Sequence, residues 1–484
     1  MKMPKQPIQR APCRSNPVAG ALSSFGCVTI AWILSTLSIH AQPRPDSVST
    51  SESDPAAAQS FQVVAETPFA IAERGAHHRL WKKSVTLWNA FTGEVQQQER
   101  SYTELCDGLH YWAGEWKESQ ELIELAPTGE AVARHGLVQV IFRPSILTPV
   151  ESSSPDGKRL RSQVVGLYLI DALSGQSVPI AAVKDSVGEL LPPNQVFYPD
   201  CFDGLRADVR FTYRRSGLEQ DVILRQRPAL PEGWQPAHAR LAVVTEFLDP
   251  PVPQIREIIL KKEEDPAKRV QMAMPDLINQ DLNFGGVQMF LGRAFSVEGE
   301  QTDNGLPMIP IAKTWWQAEG RTFLTEQVEH EAIAPLLRDL PQASNRKVGE
   351  LRMARLEQLI APVAGKSQKA GSFQVAKNTR SAREKGVVID WRTVTNASTY
   401  TFASGQTYLV TNSVTISSST IIESNAVIKF ESNAVLTLSG TVTSPATDLA
   451  FFTARDDDSI GEPIPGSPIT GNAANPALNI YNVG

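Results

Sequence analysis

Three consecutive carboxylates, Asp456, Asp457 and Asp458, stand in "ARDDDSIGE" beside Ser459 and Glu462. Clustered oxygen donors on a loop suit Ca²⁺, which makes this segment the metal candidate of the chain. Their spacing matches no defined calcium loop, so a solvated turn is the competing reading, and no other cofactor is implied. Cys106 in "ELCDG" and Cys201 in "PDCFDG" form the second group. An even pair permits one disulfide in an exported chain; the alternative is two separately buried thiols, because sequence does not fix pairing. Neither has a second Cys or a His at zinc-ligand spacing.

Other reactive types are less organised. His77-His78 would need a third metal ligand from elsewhere and reads as a surface pair at a strand start. "SNRK" (344–347) fits one element of the penicillin-binding signature without its two partner motifs. Trp315-Trp316 could stack on a sugar, but adjacent strand residues face opposite ways, so one of them belongs to the core. The sequence contains no G-x-S-x-G, H-E-x-x-H, P-loop, dinucleotide fingerprint or C-x-x-C. The balance is toward a protein without a catalytic centre.

The elements that would position these groups fall into segments. At 484 residues the chain accommodates two or three domains. Its 20% charged residues and net charge of −6 give no basic field for nucleic acid. Lys2, Lys5, Arg10 and Arg14 precede the uncharged run 18–39, and Ile39 and Ala41 sit where a signal peptidase reads. A signal peptide over 1–41 and export to the cell surface or medium are expected, with an uncleaved anchor as the alternative and no later membrane span. Residues 42–60 are Pro, Ser and acid with nothing to bury, a flexible leader.

From 61 to 344, short β-rich runs separated by Gly, Pro and Asp predict a sandwich-like domain. In "ADVRFTYRRSGLEQDVILR" (207–225), alternation predicts a hairpin turning at Ser216-Gly217. That register pairs Phe211 with Val222 and Val209 with Leu224 inside. It places Arg214 opposite Glu219 and Asp208 opposite Arg225 on a wet outer face. Helical spacing follows in "VEHEAIAPLLRDLP" and "RKVGELRMARLEQLIAP". Segment 345–386 carries ten Lys and Arg against Glu350, Glu357 and Glu384, a basic helical linker. A polysaccharide or other cell-envelope polymer is the partner such a segment could meet; a solvated linker is the alternative.

Beyond 387 the chain repeats. "ESNAV" recurs after eight residues, and extending that step aligns Val414, Ile422, Phe430 and Leu438 in one column. Strands of about five residues with polar corners of about three make a side, and three sides make a coil of about 24 residues. Val414 and Leu438 are then expected to stack, with Lys429 facing outward. Asn at the corners tolerates the left-handed backbone a sharp bend needs. Consecutive hairpins are the competing reading.

"GQTYLVTNSVTISSSTIIESNAVIKFESNAVLTLSGTVTS" resembles the opening coils of right-handed parallel β-helix proteins. "YTELCDGLHYW", "LPPNQVFYPDCFDGLRADVRFTYRRSGLEQDVILR" and "GRTFLTEQV" are similar to the N-terminal part of large secreted bacterial proteins carrying such a β-helix. The resemblance implies a mainly β fold: a sandwich-like domain, a basic helical linker and the first coils of a β-solenoid over 387–484, in a chain that reads as truncated. It also implies a surface-structural or adhesive role, with a carbohydrate-active enzyme or polysaccharide-binding module as the alternative.

Overall fold

The computed structural model describes residues 61–300, 309–343, 353–360, 372–376, 382–444, 449–466 and 477–480. The expected signal peptide, the leader, "SNRK" and much of the basic linker lie outside these residues. The protein is mainly β, with 54% strand and 5% helix arranged in several sheets. No helix among the described residues is long and apolar enough to cross a membrane.

The sandwich-like part has two sheets. In one, Arg159–Asp171, Ala239–Phe247, Arg321–Glu329 and Ile309–Ala318 pair antiparallel in that order. In the other, Ala207–Arg214, Gly217–Leu224 and Val387–Val394 do the same. Leu167, Val243 and Leu324 meet Val209, Phe211, Val222 and Ile389 in the main core between them. Burying each such side chain contributes about 1.5–3 kcal/mol. The run "VVGLYLI" is apolar throughout because both its faces are covered: Leu167 and Leu169 enter this core, while Val165, Tyr168 and Ile170 enter a second one.

The hairpin forms, but its loop is Arg215-Ser216, so Phe211 lies opposite Gln220 and Val209 opposite Val222. The shift of two residues preserves which side chains share a face. Gly217 belongs to the strand because Val387–Val394 packs against it; a Cβ there would run into the Thr393 carbonyl. Arg214 still reaches Glu219 at 3.4 Å and Arg225 reaches Asp208 at 2.6 Å, as diagonal neighbours.

The larger correction concerns the outer face, which is wet only at its Arg214 end, where that side chain is 42% exposed. Asp208, Arg210, Asp221 and Arg225 are all buried. Arg210 pairs with Asp221 and Arg293 with Asp390, each at 2.7 Å. The registers place Arg210, Asp221, Asp390 and Arg293 in one row across four neighbouring strands. Alternation showed that this face is polar, but not that further chain covers it.

His330–Leu337 is helical as expected and buries Ile333 and Leu337. The second helical pattern is not realised where it is described: 353–360 holds only a 3-10 turn, Leu356–Gln358. Ala354 exchanges both backbone hydrogen bonds with Ser177 at 2.7 and 3.2 Å, engaging groups that a helix would need. Leu356 and Leu359 then pack on the second core.

Farther along, pairing turns parallel. Thr407–Val410, Val427–Phe430 and Phe451–Ala454 lie side by side, as do Ala397–Phe402, Ser413–Ile422 and Val435–Leu438. Val410, Val414, Ile422, Phe430 and Leu438 share one interior. Asn412, Asn425 and Asn433 have φ of 60°, 61° and 64°, the left-handed corners expected. The step is not a uniform 24 residues. Thr407 lies beside Val427, Val414 beside Leu436 rather than the expected Leu438, and Ile428 beside Phe452, because the corners differ in length.

Two segments sit elsewhere than their position along the chain suggests. Val387–Val394 belongs to the sandwich, between Gly217–Leu224 and Gly292–Ser296. The ribbon of Phe61–Glu66, His78–Asn89 and Val95–Leu105 joins the parallel strands instead, with Thr103 beside Tyr408.

Phe211 is 1% exposed in the sandwich core. Phe211→Ala is expected to lower unfolding stability by about 3–5 kcal/mol in chemical denaturation; a loss below about 1 kcal/mol would contradict this packing. In the second interior, Phe430→Asp would bury an unpaired carboxylate and is expected to unfold the parallel region, seen as lost β circular dichroism.

Candidate functional site

His78–Asn89 and Val95–Leu105 are long, two-faced strands, and alternation brings Arg79, Trp81 and Lys83 to one side. Trp81 stacks on Tyr102 with centroids 6.1 Å apart, and Phe69 meets Tyr102 edge-on at 5.0 Å. Lys83 Nζ lies 4.7 Å from the Phe69 centroid, and the Arg79 guanidinium 5.7 Å from that of Trp81. Arg79 bridges Glu104 and Glu118, each at 2.9 Å, while Trp81 Nε1 donates to Glu104 at 2.9 Å.

Glu118 comes from a small hairpin, His110–Trp112 with Trp116–Glu118, in which Trp112 and Trp116 are cross-strand partners. Their rings meet edge to face at 5.3 Å. Trp112 remains 63% exposed, which for a tryptophan held in a fixed geometry offers a stacking platform. Trp116 and Glu118, two apart, share a face, so rings and charges continue from this tip toward Lys83. The exposed end of the array, Trp112, presents an aromatic face of the kind that stacks on a pyranose ring. Sequence reasoning missed Trp112 and Trp116. The signal was present in "YWAGEW", where Gly114 at φ 83° turns the chain between two aromatic residues.

The acidic loop has a different organiser. Lys429, expected to face outward, is fully buried, and its Nζ donates to the carbonyls of Asp457 and Glu462 at 2.8 and 2.9 Å. The loop folds over the sheet and so covers that lysine; Ile464 packs with Tyr102 and Leu409. Burial lowers the lysine's pKa, while Asp458, Asp457 and Glu462 oppose the shift. Asp457 is held low, chiefly by hydrogen bonds from Ser459 and Thr453, which donate to it at 2.5 and 2.6 Å. An ammonium thus stands at the centre of a loop whose acids suggested Ca²⁺. Among the described residues no group of three or more His, Cys, Asp or Glu is arranged for a metal.

The remaining candidates are dispersed. Cys106 and Cys201 are free thiols, so the disulfide does not form in this structure. Cys201 lies in the main sandwich core, whereas Cys106 follows the ribbon strand Val95–Leu105. Burial pushes the Cys106 thiol up to about 11 and that of Cys201 well above its usual value. His77 and His78 are both half-buried at the start of the strand His78–Asn89, His77 the more covered of the two. The Nδ1 of His77 accepts from the Gly108 N–H at 3.1 Å, and burial followed by the neighbouring His78 lowers its pKa to about 4. Gly108, at φ 69°, has no room for a Cβ against the Arg215 carbonyl, so ribbon and sandwich meet at this turn. Trp315 packs on the main core, while Trp316 stacks on Phe323 at 4.7 Å and donates to Thr325.

Comparison of the chain with known protein families, curated proteins and solved structures yields no match.

Replacing Lys429 by Met leaves the Asp457 and Glu462 carbonyls without their donor, a cost of about 1–3 kcal/mol. Loop opening, read as tryptic cleavage after Arg455, is expected to accelerate by about tenfold or more. Unchanged cleavage would show that Lys429 does not hold the loop.

Proposed function

We propose that this chain is an exported, non-enzymatic protein of the cell surface or extracellular space, structural or adhesive in role, that presents a right-handed β-solenoid. Parallel pairing at steps of 20, 22 and 24 residues carries the reading: Thr407 with Val427, Val414 with Leu436, Ile428 with Phe452. Such pairing lets each turn of chain supply the next turn's backbone partners, so surface extends with repeat number at little design cost. The signal-like N-terminus and the resemblance to secreted bacterial β-helix proteins support the location.

A second reading, a polysaccharide-binding module or carbohydrate-active enzyme of the β-helix type, draws its support from the exposed Trp112 beside Trp116. Of its two forms the array favours binding. Incubating the chain with plant, algal and bacterial polysaccharides separates the readings. The expected result is no release of reducing or unsaturated ends; release would overturn the non-enzymatic proposal. If a polymer is retained, Trp112→Ala is expected to abolish retention while changing stability by no more than about 0.5 kcal/mol, as for an exposed site. Retention unaffected by Trp112→Ala would remove the aromatic tip from the account.

A further inference from the structure

One buried group has no part in the array above. Lys313 and Asn279 are both fully buried, and Glu326 is 1% exposed. Lys313 Nζ donates to Asn279 Oδ1 at 3.0 Å and to the Phe290 carbonyl. Lys313 N also donates to Asn279 Oδ1, at 3.1 Å, so the carboxamide is held from two directions. Asp281 accepts from Asn279 Nδ2 at 2.8 Å, which turns the amino end of the carboxamide away from the lysine. Glu326 lies directly opposite Lys313 on the adjoining strand. Trp315, two residues from Lys313 on the same face, packs against Phe247 at 4.9 Å and Phe284 at 5.5 Å, keeping water out. A flexible, charged side chain is an expensive filler for such a place. Its position against a side-chain amide and beside a buried carboxyl is what an acyl transfer would require.

We propose that Lys313 and Asn279 join in an intramolecular isopeptide bond, with Glu326 carrying the proton. Neutral Nζ attacks Asn279 Cγ, and the new C–N bond forms as the Cγ–Nδ2 bond breaks. The proton lost from Nζ passes through the Glu326 carboxyl to Nδ2, which departs as ammonia. Atoms balance without an oxidant or co-reactant. The surroundings fit each state. Burial lowers the Lys313 pKa to about 8, opposed by Asp281, Glu326 and Asp390 and assisted by Arg392, so uncharged amine is accessible. Burial raises the Glu326 carboxyl well above its usual range, with Lys313 opposing and Asp390 and Asp221 reinforcing, so a transferable proton is present. Asn279 belongs to Leu277–Asn283, in the sheet of the charged hairpin, and Lys313 to Ile309–Ala318, which pairs with Gly292–Ser296 of that sheet at one end and with Arg321–Glu329 of the other sheet along its length. The bond therefore ties Leu277–Asn283 to the strand that links the two sheets, whatever the chain binds.

Peptide mass spectrometry of the full chain reads the bond directly. Trypsin cuts after Arg269, Arg293 and Arg321 but not at an acylated lysine. Segments 270–293 and 294–321 are expected as one branched peptide, lighter than the two combined by one ammonia. Lys313→Met and Asn279→Ala each abolish the branched species, which distinguishes it from ammonia loss elsewhere. Glu326→Gln keeps the shape but not the acid, and is expected to slow branching by about a hundredfold with circular dichroism unchanged. Separate peptides with cleavage after Lys313 in the unaltered chain would overturn the proposal. Undiminished branching in Glu326→Gln would overturn the part assigned to that residue.

Discussion

A strand that stacks in parallel on its neighbours leaves its first member with one row of unpaired backbone groups, and the structure is arranged around closing that row. Val95–Leu105 lies along Thr407–Val410, and Thr411 N donates to the Leu105 carbonyl at 2.9 Å. An exposed flat edge invites pairing with other chains. Closing it with an antiparallel ribbon ends the stack at that side and ties residues separated by about 300 positions into one sheet. The turn that follows continues the attachment, since Asp107 N donates to the Ser413 carbonyl at 3.0 Å. The aromatic tip, the Arg79 bridge and the Lys429 loop all rest on this composite sheet.

The sandwich meets a different constraint, the cost of charge away from water. Its outer layer carries a row in which two adjacent carboxylates, Asp221 and Asp390, are flanked by Arg210 and Arg293, each carboxylate having its own guanidinium at 2.7 Å. Such layers add little net stability over apolar packing, but removing one partner costs about 3–5 kcal/mol. They penalise a slipped register: the row of Arg210, Asp221, Asp390 and Arg293 assembles in only one alignment of the strands. A covalent tie between Lys313 and Asn279 would fix that alignment further, from the interior.

Local periodicity read some of this well. Alternation over 207–225 separated the two faces, the eight-residue step found the shared interior of Val414 to Leu438, and Asn at the corners was correctly linked to left-handed backbone. What it could not reach depends on distant chain. The hairpin register followed the contact of Gly217 with Thr393, and the burial of Lys429 followed a loop near Asp457. The helix expected through Leu356 yielded to backbone bonds with Ser177. The aromatic array combines residues of the ribbon and the Trp112 hairpin, none of which looks reactive alone. The Lys313 cluster was hidden because an isolated lysine and asparagine, 34 positions apart, carry no pattern.

Amide hydrogen exchange after Thr103→Pro tests the central claim, that the N-terminal ribbon closes the parallel stack. Thr103 is paired on both sides, with Leu80 and with Tyr408, so proline cannot be accommodated without breaking the ladder. The account predicts that the Thr411 and Asp107 amides lose protection while those of Ala239–Phe247 in the sandwich keep theirs. Unchanged protection at Thr411 and Asp107 would contradict it.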